Sequence, residues 1–205
     1  MDPLFLTQPL SPSTLLTHLL NPSSPTTTTT TTLLICGLTQ PDFLSALTQD
    51  PSAEDLLSPP SLAQLSISRH IRTLFIPTVS HLRAYLSVFS IHDSKIPAPH
   101  NSSPKMLLAY NVISSHRDTS EWSIQGISNT ASALIEAANR EGLRAIILDS
   151  SPVDLTEKIP VLSGSSKRTL LGRDAAGEAG WMGKTAELNK VIRRWFRIRE
   201  NLGDL

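Results

Sequence analysis

The sequence has 205 residues, 40% of them apolar, which is enough chain to bury one sizeable core. Eighteen basic and eighteen acidic side chains give a formal net charge of zero, so the overall charge favours neither nucleic acid nor a membrane surface. The single cysteine, Cys36, excludes an internal disulfide framework and fits a reducing compartment, so we expect a nuclear or cytoplasmic protein. No run approaches the ~20 apolar residues that a membrane helix requires, so we expect no membrane partner.

Residues 1–32 have the composition of a low-complexity segment. They carry almost no charge, five prolines and an unbroken threonine run at 26–32. Such a stretch buries too little apolar surface to offset its ordering entropy, so we expect residues 1–32 to be largely disordered, with 21–32 as a linker. Within it, "SPSTLLTHLL" predicts a short helix capped by Ser13, which packs on its own domain or docks on a partner.

Strands and helices alternate from residue 33 onward. Four continuous apolar runs are typical of strands covered on both faces: "LLICGL" (33–38), "HIRTLFIP" (70–77), "KMLLAYNVI" (105–113) and "RAIILD" (144–149). Amphipathic patterns between them predict helices at 42–47 and 78–89 and a long helix that stops at Gly142. Asp118, Thr119 and Ser120 are the expected caps of the long helix, with Glu121 in its first turn. Residues 33–205 are therefore predicted to form one α/β domain with a mostly parallel sheet flanked by helices.

The last part of the chain is less regular. Residues 151–181 are rich in Ser, Gly and Pro and predict a loop too long for a simple connector, so we expect it to be functional or disordered. The chain then continues with "TAELNKVIRRWFRIR", which is either a short helix to about Val191 followed by a strand, or one helix throughout. Residues 184–199 carry six basic side chains and one acidic side chain, a local charge of +5. This stretch is the one candidate electrostatic footprint.

No catalytic, metal or cofactor site is predicted from the motifs. Gly183, Lys184 and Thr185 match the end of a phosphate-binding P-loop, but Glu178 stands where the motif requires its first glycine. The Ser, His and Asp of "SSHRD" (114–118) are neighbours on one loop, whereas triad members converge from separate elements. The six histidines show no metal-ligand spacing. We therefore expect no nucleotide cofactor and no ATP hydrolysis.

Arginines and tryptophans near the C-terminal end suggest a binding surface. Interleaved basic and aromatic side chains can stack on bases and neutralise phosphate, but "RRWFRIR" also fits a strand with one face in the core or against a partner. The candidate nucleic-acid-binding residues are Lys167, Arg168, Arg173, Arg193, Arg194 and Arg197. The candidate partner-interface residues are Trp122, Trp181 and Trp195.

The order of these elements resembles the RecA/eukaryotic recombinase core, read from just after its P-loop. The segments that occupy the family's places in order are "LLICGLTQPDFL", "HIRTLFIPTVSHLRAYL", "LLAYNVISSHRDTSEWSIQG", "ALIEAANREGLRAIILDS", the 151–181 loop and "AGWMGKTAELNKVIRRWFRIR". Asn111 stands where the family has its Walker B acid, and a neutral amide cannot hold Mg²⁺ as a carboxylate does. The chain is thus similar to nucleotide-free members of the superfamily, namely recombinase paralogs of the Shu type or the RecA-like subunits of Elongator.

The resemblance implies a function. It implies a RecA-like fold without a P-loop and a pseudo-ATPase that serves as a subunit of a protein complex, in a heteromer with RecA-like paralogs. The 151–181 loop stands where the family's second DNA loop does, and His116 and Arg117 stand near the first. We expect a non-catalytic subunit of a DNA recombination or repair assembly that binds partner subunits, with single-stranded DNA as a further ligand. The alternatives are an Elongator-like scaffold acting on tRNA, or a small α/β enzyme with an unrecognised site.

Overall fold

The computed structural model describes residues 2–21, 31–53, 56, 58–91, 105–162 and 184–200. Eight strands lie in these residues: β1 (Leu4–Leu6), β2 (Thr31–Cys36), β3 (Ile71–Phe75), β4 (Lys105–Tyr110), β5 (Arg144–Leu148), β6 (Lys158–Pro160), β7 (Thr185–Glu187) and β8 (Arg197–Arg199). Six α-helices accompany them: α1 (Pro12–Leu20), α2 (Gln40–Gln49), α3 (Leu62–Ser68), α4 (Val79–Val88), α5 (Ile124–Arg140) and α6 (Leu188–Trp195). Short 3₁₀ helices occur at Pro51–Ala53 and Ser114–His116.

Six of the strands form one parallel sheet in the order β3-β2-β4-β5-β1-β8. The longest ladder joins β2 to β4, from Thr31 opposite Lys105 to Cys36 opposite Tyr110. Strands β6 and β7 form a separate antiparallel pair. The prediction of an α/β fold with a parallel sheet flanked by helices is confirmed.

Strand β1 lies inside the sheet, between β5 and β8. Leu4 is opposite Ile146 on one side and opposite Arg197 on the other, and Leu4, Phe5 and Leu6 are all buried. The expectation that residues 1–32 are largely disordered is therefore wrong for residues 2–21, and also for Thr31 and Thr32, which belong to β2. Three apolar residues between prolines give no periodicity to detect, and their burial comes from strands more than a hundred residues away. Residues 22–30, which include most of the threonine run, lie outside the described residues.

Helices cover the sheet on both faces and form two apolar clusters. One cluster contains Phe5 of β1 together with side chains of α4, α5 and α6. The other contains Leu4 and Leu6 together with Leu15 of α1 and Phe43 of α2. Neighbouring residues of β1 therefore enter opposite cores, as expected of a strand that is buried on both faces.

Two predicted helix starts are displaced. The cap of α1 is Ser11, whose side chain accepts from the Thr14 N–H, whereas Ser13 is buried and donates to Asp50. The cap of α5 is Ser123, whose Oγ lies 2.9 Å from the Gly126 nitrogen, so Asp118, Thr119, Ser120 and Glu121 precede the helix. Gly126 explains this start: a Cβ there would lie 2.1 Å from the Glu121 carbonyl oxygen, so the chain entering α5 crosses directly over it.

The C-terminal stretch follows the first of its two alternatives. Helix α6 ends at Trp195 and strand β8 begins at Arg197. The irregular region predicted at 151–181 is not a loop throughout, because β6 lies within it and pairs with β7. Residues 163–183 lie outside the described residues. Across the described part of the chain, we find no helix with the length and apolar character needed to cross a bilayer.

Candidate functional site

The carboxyl ends of the strands are the first place to look for a site, because parallel α/β sheets bind ligands where neighbouring strands connect in opposite directions. The chain leaves β2 toward the end strand β3, whereas it leaves β4 in the opposite direction along the sheet, toward β5. The point at which the connections diverge therefore lies between β2 and β4. Here the Gly37 N–H donates to the Tyr110 carbonyl oxygen at 2.8 Å. A Cβ on Gly37 would lie 2.6 Å from the Asn111 carbonyl oxygen. The backbones of the two strand ends are therefore in direct contact at Gly37.

Asn111 has a structural role at this edge. Its φ is 60°, a left-handed conformation that asparagine tolerates better than most residues. Its side-chain Oδ1 accepts from Ser150 Oγ at 2.8 Å, and its backbone N–H donates to the Leu148 carbonyl oxygen. The residue that stands in the Walker B place of the resemblance therefore fixes a turn between β4 and β5.

Asp149, at the end of β5, is saturated by the protein. Its carboxylate accepts from the Ile113 N–H at 3.3 Å and from the Ser114 N–H and Oγ at 2.7 Å each. Burial raises the pKa of this carboxyl, and the hydrogen bonds from Ser114 and Ile113 oppose that rise. With its oxygens pointing at the 3₁₀ helix that begins at Ser114, Asp149 holds that turn in place.

The loop between β1 and α1 occupies the position in which a P-loop would hold phosphate, since it joins a strand inside the sheet to a helix. Its N–H groups are used within the chain: Thr7 donates to the Arg199 carbonyl, Gln8 to that of Glu200, and Leu10 to that of Asp149, at 3.0, 3.2 and 3.1 Å. Proline at position 9 has no N–H to give, and the loop contains no glycine or lysine. A phosphate would find no free backbone donor on those residues.

His116 belongs to a buried hydrogen-bond chain. Its Nδ1 lies 2.8 Å from the Val112 carbonyl oxygen, so Nδ1 carries the proton and Nε2 accepts from Thr130 Oγ1 at 2.9 Å. Thr130 Oγ1 in turn accepts from Arg83 Nε at 2.9 Å. Burial lowers the pKa of His116. The His116 side chain is fully buried, so it does not itself present a surface to DNA, and the expectation that it stands near the family's first DNA loop stays a prediction.

Arg83 was not singled out by the sequence, yet it joins α4 to α5. Its Nη2 donates to Glu121 at 2.8 Å and to the Gly126 carbonyl oxygen at 2.7 Å. The only signal for it in the sequence is a lone charge among the apolar positions of α4. Within the described residues, this arginine joins α4 to the start of α5.

Trp122 is half-buried and its ring is covered from within the chain. The guanidinium carbon of Arg117 lies 4.5 Å from the ring centroid, and Arg117 also pairs with Glu157 at 2.9 Å. Cation–π contacts of this kind stabilise by about 0.5–1 kcal/mol at exposed sites. Arg117 and Glu157 thus link the start of α5 to the segment before β6, and the assignment of Trp122 to a partner interface stays a prediction.

The basic residues of α6 and β8 lie on the surface. Arg193 Nε donates to Asn189 Oδ1 at 2.8 Å, Arg194 lies over the Trp195 ring at 5.6 Å, and Arg197 pairs with Asp2 at 2.9 Å. Trp195 is half-buried, and its Nε1 has no hydrogen-bond acceptor among the described residues. Of the other candidate binding residues, Lys167, Arg168, Arg173 and Trp181 lie outside the described residues.

Two further features of the described residues were considered as sites. Within the described ranges no group of three or more His, Cys, Asp or Glu side chains could hold a metal ion. A groove of about 220 Å³ between α1 and α3 is lined by residues without titratable groups, namely Leu20, Leu56, Ser58, Pro60, Gln64, Leu65 and Ser68. No protein-family model matches the sequence, and a search of curated proteins finds no significantly similar sequence.

Proposed function

We propose that this chain is a non-catalytic, RecA-like subunit of a DNA recombination or repair assembly, and that it works by binding partner subunits of the same superfamily. The observation that carries the proposal is the loop between β1 and α1, whose N–H groups are donated to neighbouring backbone carbonyls. A nucleotide phosphate held in a strand–loop–helix unit needs those donors free. A chain that cannot use this edge for phosphate acts through its outer surfaces.

Two further contacts support the absence of nucleotide chemistry. The side-chain oxygen of Asn111 accepts a hydrogen bond from Ser150, and the side chain is an amide where Mg²⁺ prefers a carboxylate. Gly37 brings the ends of β2 and β4 into contact at the point where an open sheet would admit a ligand.

The described arginines do not distinguish an acidic protein partner from single-stranded DNA. Arg193, Arg194 and Arg197 each contact a side chain of the same chain, so a carboxylate or a phosphate would compete with those contacts. Exposed pairs of this kind contribute about 0–1 kcal/mol, so this competition costs either ligand little. The tests below therefore compare binding of nucleic acid with binding of a protein segment.

The absence of nucleotide binding is tested by titrating the purified full chain with a fluorescent ATP analogue and Mg²⁺. We expect no saturable signal from the wild type or from Asn111→Asp. That variant supplies a carboxylate and keeps a residue tolerant of the left-handed conformation. Saturable micromolar binding that Lys184→Ala abolishes would overturn the proposal.

The cellular role is tested by deleting the gene in the native host. We expect sensitivity to agents that break DNA, restored by the wild-type chain, together with co-purification of RecA-like paralogs on a tagged chain. Normal survival after DNA damage combined with a defect in tRNA modification would instead identify an Elongator-type role. Normal survival with ATP hydrolysis by the purified chain would indicate an enzyme.

A further inference from the structure

Strand β8 is an end strand of the parallel sheet, and no described strand pairs with its outer side. On its inner side, the Arg197 N–H donates to the Pro3 carbonyl oxygen at 2.9 Å and the Arg199 carbonyl accepts from the Thr7 N–H at 3.0 Å. Successive residues of a strand direct their backbone groups to alternate sides. The N–H and carbonyl of Ile198 therefore point away from the sheet, as one donor and one acceptor at an open edge.

Basic side chains flank this edge. Arg197 and Arg199 are exposed and project from the opposite face to Ile198, whose side chain packs against the core of α4, α5 and α6. Arg197 already pairs with Asp2 at 2.9 Å, so Arg199 is the arginine of β8 that is more readily available to a ligand. Residues 184–200 contain six basic and two acidic side chains. The edge thus combines backbone groups that no described strand pairs with and a local excess of positive charge.

The charge restricts what can bind there. A second copy of β8 would place arginines beside arginines, which is how natural edge strands avoid pairing with themselves. The segment 163–183 of this chain carries three basic and two acidic side chains, so its net charge is also positive and does not complement the arginines of β8. We propose that the outer edge of β8 binds an extended, acidic segment of a partner protein by strand addition. The inference rests on the proposed function, since it names the surface and the chemistry through which the partner is recognised.

A polypeptide fits the edge better than nucleic acid does. Phosphate oxygens can accept from the arginines and from the Ile198 N–H, but they offer no donor to the Ile198 carbonyl. A neighbouring strand satisfies both backbone groups, and acidic side chains at alternate positions of that strand lie on the same face as Arg197 and Arg199.

The test uses the full chain and a fluorescein-labelled acidic peptide with alternating Glu and Val, read by fluorescence anisotropy at low salt. We expect saturable binding that Arg199→Glu weakens about tenfold, and that Arg72→Glu on the opposite edge strand β3 leaves unchanged. Arg72 is a matched control because it is also an exposed arginine on an end strand. Absence of saturable binding, or equal weakening by both variants, would overturn the inference.

Strand addition is separated from simple charge attraction by two further probes. Ile198→Pro removes the outward N–H without removing a hydrogen bond to β1, so binding should be lost while Ile198→Val retains it. The same peptide with N-methyl groups on alternate amides should bind at least about tenfold more weakly. Unchanged binding by either probe, or stronger binding of oligo-dT than of the peptide, would overturn strand addition. The ATP titration is a separate measurement. If the peptide does not bind the edge of β8, the proposal that the chain is non-catalytic is unaffected.

Discussion

Removal of residues 1–32 should abolish the folded domain. This segment contributes six fully buried apolar side chains, Leu4, Phe5, Leu6, Leu10, Leu15 and Leu19. At about 1.5–3 kcal/mol each, their burial amounts to about 9–18 kcal/mol, an upper estimate because the unfolded chain already buries some of that surface. Whole domains are stable by only about 5–15 kcal/mol. Deletion would also leave β8 without its sheet neighbour, so we expect no cooperative transition.

A graded version of the same test uses single substitutions. Phe5 is 0% exposed and lies in the core beneath α5 and α6, so Phe5→Ala should lower the free energy of unfolding by about 3–5 kcal/mol. Leu62 is 86% exposed on α3, so Leu62→Ala should change it by less than about 0.5 kcal/mol. Both are measured by urea denaturation followed by circular dichroism at 222 nm.

The reasoning would be refuted by a deletion variant that melts cooperatively at the wild-type temperature with an unchanged urea dependence. That result would mean that residues 2–21 are not part of the cooperative unit. A Phe5→Ala cost equal to that of Leu62→Ala would lead to the same conclusion.

Three further predictions concern buried titratable groups. Asp149→Ala should destabilise by about 2–4 kcal/mol in urea, because the Ile113 and Ser114 N–H groups lose their acceptor; a change under 0.5 kcal/mol would contradict this. Burial lowers the pKa of His116, so the unfolded state takes the proton first, and its contribution, present above the ordinary value of 6.5, should be lost as pH falls through the folded pKa. The drop in urea midpoint between pH 7 and pH 5 should shrink in His116→Gln, and an equal drop would argue against it. Burial raises the pKa of Cys36 to about 12, so a thiol reagent at pH 8 should react only after urea unfolding, and fast native reaction would contradict its burial.

The sequence predicts the strands of this fold better than it predicts what lies at their ends. Continuous apolar runs identified β2, β4 and β5, because strands buried on both faces need apolar side chains at every position. The end strand β3 was also predicted, although it is only half-buried and carries the exposed Arg72. The same rule cannot detect β1, where only three residues separate Pro3 from Thr7. Its identity as a strand depends on partners near residues 146 and 198, which no local pattern contains.

The starts of helices and the burial of loop side chains are a second kind of feature that the sequence does not predict. Three good capping residues occur together at 118–120, yet the cap is Ser123, because the close crossing of Glu121 over Gly126 decides where the helix can begin. The burial of His116 could not be predicted either, because its two ring nitrogens pair with Val112 and with Thr130, which lies in another element of the fold.

Strand β1, near the start of the sequence, pairs directly with β8, near its end. Among the described strands β8 has β1 as its sole sheet neighbour, and Arg197 pairs with Asp2 at 2.9 Å just before β1 begins. A partner strand added to the outer edge of β8 would bind only the state in which β8 is docked, so it would stabilise that state by mass action. Amide hydrogen exchange should then slow in β1 as well as in β8 when the acidic peptide is bound. Because the peptide does not touch β1, protection at Phe5 would report coupling through the sheet and not contact.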